Sequence, residues 1–278
     1  MSQQFHPPSG LSYRIEGQGP TLLLLHANPG DSRDFDAVAP QLARRFRVIR
    51  PDWPGYGGSP APQPPGAAGA GLFLQRFEAL MDGLEVSSAH LLGNSVGANV
   101  AAHYALRRPE RVCSLVLVSP GGFTDHNALT RAVCRLQGQV WFKRLLGSGF
   151  TRWYLRERND WTRAMIARAG GEQAGAAALA VNAAVWRSFI EPRHDLRQAA
   201  AALRVPTLVM SGKRDPVLPA HTDGRNAARA IPGARQVVLD CGHALFAELP
   251  EPFLAEAGAF WDALERDGAA PAGVSRAA

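Results

Sequence analysis

The sequence predicts an α/β protein, with a mostly parallel central sheet, helices on both faces and an all-helical insertion. Three observations carry this reading. Short apolar runs recur along the chain, several continuous rather than alternating, as strands buried on both faces require. Stretches of about 10–15 residues with helical spacing lie between them, the pattern of strand–helix–strand crossovers. One long segment, Phe123–Asp195, breaks the alternation and has no convincing strand.

Tyr13–Glu16 is a short candidate strand, and Thr21–His26 (TLLLLH) is the most continuous apolar run. Phe46–Pro51, Ala89–Leu92, Val112–Val118, Thr207–Met210 and Gln236–Leu239 complete the set. Helical patterns fall at Phe35–Arg45, Leu72–Leu84, Ala98–Arg108, Thr222–Ala230 and Pro252–Arg266. Pro60–Gly71 reads as a long Pro/Gly/Ala loop, long enough to be mobile. Within the insertion, Ala128, Leu129, Ala132, Val133, Leu136 and Val140 recur at helical spacing, and further helical stretches follow at Trp161–Ala169 and Glu172–Ile190. The expected organisation is a core in two parts, residues 1–122 and 196–266, around a helical insertion at 123–195, with a frayed tail at 267–278.

Composition narrows the function classes. The chain has 278 residues, 46% hydrophobic and 19% charged, enough to close a core and unlike a disordered chain or a coiled coil. Its three cysteines, Cys113, Cys134 and Cys241, are widely spaced with no C-x-x-C, so a disulfide framework or zinc site is not expected. No secretory signal and no apolar run of membrane-spanning length is visible, and a reducing cytoplasmic setting fits. The net charge of +6 comes mostly from the insertion, which carries a net +5 and four of the six Trp. Its Arg are dispersed without a basic run or nucleic-acid motif, so nucleic acid is not an expected partner. One reading makes the insertion a small subdomain with Trp packed inward and Arg facing solvent. The other makes it a lid over a substrate, with Trp141, Trp186 and Arg187 as candidate substrate contacts and Arg193 as a further clamp.

Gly93-Asn94-Ser95-Val96-Gly97 is a G-x-S-x-G pentapeptide between an apolar strand and the helix at Ala98–Arg108. On so tight a turn a Ser has a strained backbone, and glycines on either side let the turn close. The hydroxyl then stands clear of the sheet, beside the N–H groups at the helix start. A Ser hydroxyl needs a base. Of eight His, His243 is favoured because it follows the last strand on a loop that starts at Gly242. The base needs an acid to fix its tautomer. Asp215 follows the strand Thr207–Met210 at a turn marked by Gly212 and Pro216, with Asp240 and Asp125 as alternatives.

At this point the chain resembles the α/β-hydrolase superfamily over nearly its whole length. His26-Ala27-Asn28-Pro29-Gly30 is similar to the family's H-G-x-P segment. Asp52-Trp53-Pro54-Gly55-Tyr56-Gly57-Gly58-Ser59 is similar to its D-x-P-G-x-G-x-S turn. The elbow follows, then Gly212–Pro216 and Asp240-Cys241-Gly242-His243, with the helical insertion where the family places its cap. The resemblance implies the α/β-hydrolase fold and the chain order Ser95, Asp215, His243 for a triad. It also implies an oxyanion hole from the Asn28 and Val96 amides, with His26 as the structural His of the turn. Ala27 stands where the family has Gly, which would strain the turn if a positive φ were needed there.

These residues imply a cofactor-free serine hydrolase that cleaves a small, largely apolar carboxylic ester through an acyl-enzyme. A small-molecule substrate is the expected partner, with neither nucleic acid nor membrane, and the oligomeric state is not readable. One alternative is hydrolysis of a carbon–carbon bond in ring-cleavage diketones or dienoates, suggested by Gly93–Ser95, the Pro120-Gly121-Gly122 turn and Asp240–His243. Another is a non-catalytic small-molecule sensor. No metal-binding or nucleotide-binding motif is present.

Overall fold

The computed structural model describes residues 3–267. The expected tail lies outside the described residues apart from Asp267, which caps the last helix. Eight strands form one sheet: β1 (Gln3–His6), β2 (Leu11–Glu16), β3 (Thr21–Leu25), β4 (Arg47–Pro51), β5 (Ala89–Asn94), β6 (Val112–Val118), β7 (Thr207–Gly212) and β8 (Arg235–Leu239). Their spatial order is β1-β2-β4-β3-β5-β6-β7-β8. The first two pairings are antiparallel, and every pairing from β4 across to β8 is parallel.

The continuous apolar runs are explained by two-sided burial. Leu23, Leu25, Leu91, Leu115, Leu117 and Val209 pack into one core with α2 (Ala70–Gly83) and α3 (Val96–Arg107). Their neighbours Leu22, Leu24, Leu92, Val116, Val118, Leu208 and Met210 face the other core. Successive side chains point to opposite faces of a strand, so a run such as Leu22–Leu25 supplies both layers in turn. The second core is closed by α1 (Ala39–Leu42), α10 (Leu245–Glu248) and α11 (Pro250–Arg266).

Between β6 and β7 lie five helices: α4 (Ala128–Gln137), α5 (Val140–Leu146), α6 (Gly149–Tyr154), α7 (Asp160–Gly170) and α8 (Ala176–Ser188). The remaining helix, α9 (Arg225–Ala230), follows a π-helical turn at Ala220–Gly224.

Several local expectations change. The helix expected over Phe35–Arg45 is a 3₁₀ turn at Ser32–Phe35 and the single turn α1, which has Pro40 near its start. Pro40 has no N–H to continue a helix arriving from Phe35. The loop expected at Pro60–Gly71 is fastened: it forms a 3₁₀ turn at Pro65–Ala67, and the Ala70 amide donates to Ser188 Oγ on α8. The helical spacing from Ala128 to Val140 is cut by Gly138, and the stretch from Glu172 begins as a 3₁₀ turn before α8. Of the four Trp in the insertion, Trp186 is buried while Trp141, Trp153 and Trp161 are exposed, so these rings do not form an inward-packed core. β1 has no apolar alternation, and its residues are mostly exposed at the sheet edge.

Candidate functional site

The G-x-S-x-G segment spans the junction of β5 and α3. Ser95 has φ 58° and ψ −114°, a conformation that costs a non-glycine residue on the order of 1–3 kcal/mol. The surroundings hold it there. Its amide donates to the Val118 carbonyl at 3.0 Å, and its carbonyl accepts from Asn99 and Gly121 at 3.1 Å each. A Cβ on Gly93 would sit 2.4 Å from the Gly97 carbonyl oxygen, and one on Gly97 would sit 2.2 Å from that of Leu25. Both positions therefore need glycine for close backbone approach.

Asp215 and His243 are in contact, with Asp215 Oδ2 and His243 Nδ1 2.7 Å apart and both residues buried. The other Asp215 oxygen accepts from the Val217 and Leu218 amides at 2.8 and 3.2 Å. A carboxylate bonded to Nδ1 holds the proton there and leaves Nε2 as the acceptor. The two alternative acids face solvent. Asp240 pairs with Arg214 at 3.1 Å, and Asp125 pairs with Arg197 and accepts from Asn226 at 3.1 Å.

The turn after β3 is ordered by His26. The Trp53 amide can only donate, and it lies 2.8 Å from His26 Nε2, so the ring proton is on Nδ1 and donates to the Ala27 carbonyl at 2.8 Å. Complete burial lowers the His26 pKa, in keeping with this neutral tautomer. Ala27 is not among the residues with positive φ, so alanine brings no backbone strain to this turn. The Asn28 side chain does not reach toward the substrate cavity. Its oxygen accepts from the Tyr56 hydroxyl at 2.5 Å and its amide donates to Asn182 Oδ1 at 3.2 Å, so it ties the turn to α8. Val96 is the first residue of α3 and is fully buried.

A cavity of about 310 Å³ opens over Ser95. Its apolar wall includes Leu129 and Val133 of α4, Phe150 and Trp153 of α6, Trp186 of α8, and Phe189. Pro216, Val217 and Leu218, directly after Asp215, close another side. Of the candidate substrate contacts, Trp186 lines this cavity, and Trp141 and Arg187 do not. Trp141 is 60% exposed on the outer side of α5, and Arg187 faces out and donates to the Gly138 carbonyl at 2.5 Å. Behind the wall, Lys143 Nζ is buried, 2.6 Å from Gln137 Oε1 and 4.8 Å from the centre of the Trp186 ring. Burial pulls its pKa down to about 7. Among the described residues, no group of three or more His, Cys, Asp or Glu could hold a metal ion.

Sequence reasoning missed Glu248. Its buried carboxylate accepts the amides of Gly242 and Ala244, on either side of His243, at 2.9 and 3.1 Å. It also accepts those of Arg156 and Glu157, between α6 and α7, at 2.7 and 3.0 Å. The only signal was an acid five positions after the His, which is weak. The ion pair of Arg168 on α7 with Asp34 at 2.6 Å is a second tie between insertion and core.

Comparison with known proteins places this geometry. The family model described as "alpha/beta hydrolase fold" matches residues 20–250. The chain is similar to 2-hydroxymuconate semialdehyde hydrolase of a Pseudomonas species, at 30% identity covering 87% of this chain and 89% of that one. It is also similar, at 36% identity over 121 residues, to an uncharacterized protein of Mycobacterium tuberculosis; this match covers 43% of the chain and spans about a third (35%) of that protein's length. Among solved structures, a hydrolase from Pseudomonas aeruginosa superimposes with a TM-score of 0.81 at 28% identity, covering 94% of this chain and 98% of the other. With its parallel sheet, its serine at the strand–helix turn and these matches, the chain belongs to the α/β-hydrolase fold family.

Proposed function

We propose that the protein is a serine hydrolase that cleaves a small, largely apolar carboxylic ester through an acyl-enzyme. The observation that carries this is the cavity over Ser95, whose lining among the described residues contains no Asp, Glu, Lys or Arg. In the proposed reaction His243 Nε2 takes the Ser95 proton as Oγ attacks the ester carbonyl. Asp215 stabilises the imidazolium that forms. The Asn28 and Val96 amides receive the oxyanion, a contribution whose loss typically costs about 10²–10³ in rate per donor. His243 returns the proton to the departing alcohol, and the same ring then activates water against the acyl group. The helices α4–α8 act as the cap that limits water over the reacting carbonyl.

The similarity to a semialdehyde hydrolase supports a second reading, cleavage of a carbon–carbon bond. A dienoate substrate would bring a carboxylate into the cavity. Among the described residues its lining supplies no permanent cation; of the candidate clamps, Arg187 points away and Arg193 is exposed and paired with Glu191. Burying an unpaired carboxylate is expensive, so the neutral ester is the better fit.

A fluorophosphonate probe followed by peptide mapping tests the central claim. Stoichiometric label on Ser95, ester turnover blocked by the label and no turnover in Ser95→Ala support it. Label elsewhere, or turnover surviving in purified Ser95→Ala, overturns it. Comparing p-nitrophenyl esters with a synthetic dienoate separates the two readings.

A further inference from the structure

His194 lines the same cavity as Ser95 and has no part in the reaction described above. It ends a 3₁₀ turn at Pro192–His194, at the end of the insertion, and is 3% exposed. Its backbone is fixed: the amide donates to the Glu191 carbonyl at 2.9 Å, and the carbonyl accepts from Asn99 Nδ2, in the first turn of α3, at 2.9 Å. The ring packs on Phe189 with centroids 5.0 Å apart. Nδ1 is enclosed without a hydrogen-bond partner among the described residues. The other nitrogen lies beside Gly121, close to the Ser95 backbone. A methyl group placed on Gly121 would be 3.2 Å from His194 Nε2 and 3.3 Å from the Ser95 carbonyl oxygen.

We propose that His194 is a substrate-binding residue that hydrogen-bonds a second oxygen, hydroxyl or keto, on the acyl group a few atoms from the carbonyl attacked by Ser95. This deepens the serine-hydrolase reading and rests on it. Burial, with the neighbouring His103 and His126, holds the ring neutral by lowering its pKa to about 3. A neutral imidazole has one N–H, and placing it on Nε2 puts the donor where a ligand can meet it. The rest of the wall is largely apolar. An acyl chain that fills the cavity displaces water from the ring. A plain alkyl chain leaves the polar nitrogen unpaired, whereas an oxygenated one replaces the lost bond. Sites built this way discriminate strongly against analogues that lack the polar group.

The test compares p-nitrophenyl butyrate with the 2-hydroxybutyrate and 3-hydroxybutyrate esters on the whole chain. The expected result is a kcat/KM at least about tenfold higher for one hydroxyacyl ester than for butyrate, expressed mainly in KM. His194→Phe should abolish that ratio, and His194→Gln, which keeps a donor, should restore part of it. No preference in the wild type, or an unchanged ratio in His194→Phe, overturns the proposal. Calorimetry on Ser95→Ala with ethyl 3-hydroxybutyrate, ethyl 2-hydroxybutyrate and ethyl butyrate reads the same discrimination without turnover. Equal affinities there overturn it even if no ester is hydrolysed. Labelling of Ser95 with loss of the hydroxyl preference removes only the role given to His194.

Discussion

Asn94 Nδ2 donates to the carbonyl of His243 at 3.1 Å, so the residue before the nucleophile holds the backbone of the proposed base. The same amide also donates to the Val118 carbonyl at 3.1 Å, which joins the ends of β5 and β6 to the His loop. Asn94→Ala takes the donor from the buried His243 carbonyl, while the Val118 carbonyl keeps the Ser95 amide. The expected outcome is a loss of about 1–3 kcal/mol in stability. A fall in kcat of about tenfold with little change in KM should accompany it, because His243 is mispositioned in the transition state. Denaturant titration and steady-state kinetics check both, and unchanged kcat removes the positioning role.

Glu248 makes a sharper case, since one carboxylate accepts four backbone amides. Glu248→Gln keeps the shape but turns part of the acceptor into a donor facing those amides. A stability loss of about 2–4 kcal/mol is expected, larger than that of a typical surface substitution. Urea midpoints at constant m-value measure it.

Lys143 gives a pH-dependent signature. Burial pulls its pKa in the folded chain down to about 7, from an ordinary value of 10.5. Folding therefore releases a proton between those values, and this group's contribution to stability rises with pH across that window. Lys143→Met should raise the melting temperature most at pH 7 and below, and the gain should shrink as pH climbs toward 10. Scanning calorimetry of both proteins from pH 6 to 10 checks this. A gain that does not vary with pH contradicts it.

Gly212 ends β7 just before the loop that bears Asp215, and a Cβ there would sit 1.8 Å from the Gly242 carbonyl oxygen. Both partners are backbone, so no side chain can yield. Gly212→Ala should displace the His243 loop and reduce kcat/KM by at least about tenfold at retained helicity. Circular dichroism beside ester kinetics separates local displacement from unfolding.

Much of the fold was legible because two-sided burial writes itself as uninterrupted aliphatic runs. Leu22–Leu25 and Val112–Val118 need no partner to be recognised as central strands. β1 was not legible, since an exposed edge strand places no constraint on side-chain polarity. Ser95 and its glycines were visible as a motif because backbone approach dictates residue type at each position. Trp141 and Arg187 were misplaced for a different reason: composition marks a helix as aromatic or basic without fixing which face it turns inward. Glu248 and His194 depend on contacts between distant segments, Gly242 with Arg156 and Gly121 with the ring, and no local spacing records those.

The carboxylate of Glu248 also constrains how the cavity over Ser95 could open. Because it fastens the α6–α7 junction and the His243 loop to the same two oxygens, swinging that half of the insertion outward would dismantle the base's own support. Among the described residues, the half built from α4 and α5 makes no such bond to the His243 loop. An opening past Leu129 and Val133 of α4 would leave that support intact, whereas one through the α6–α7 side would not.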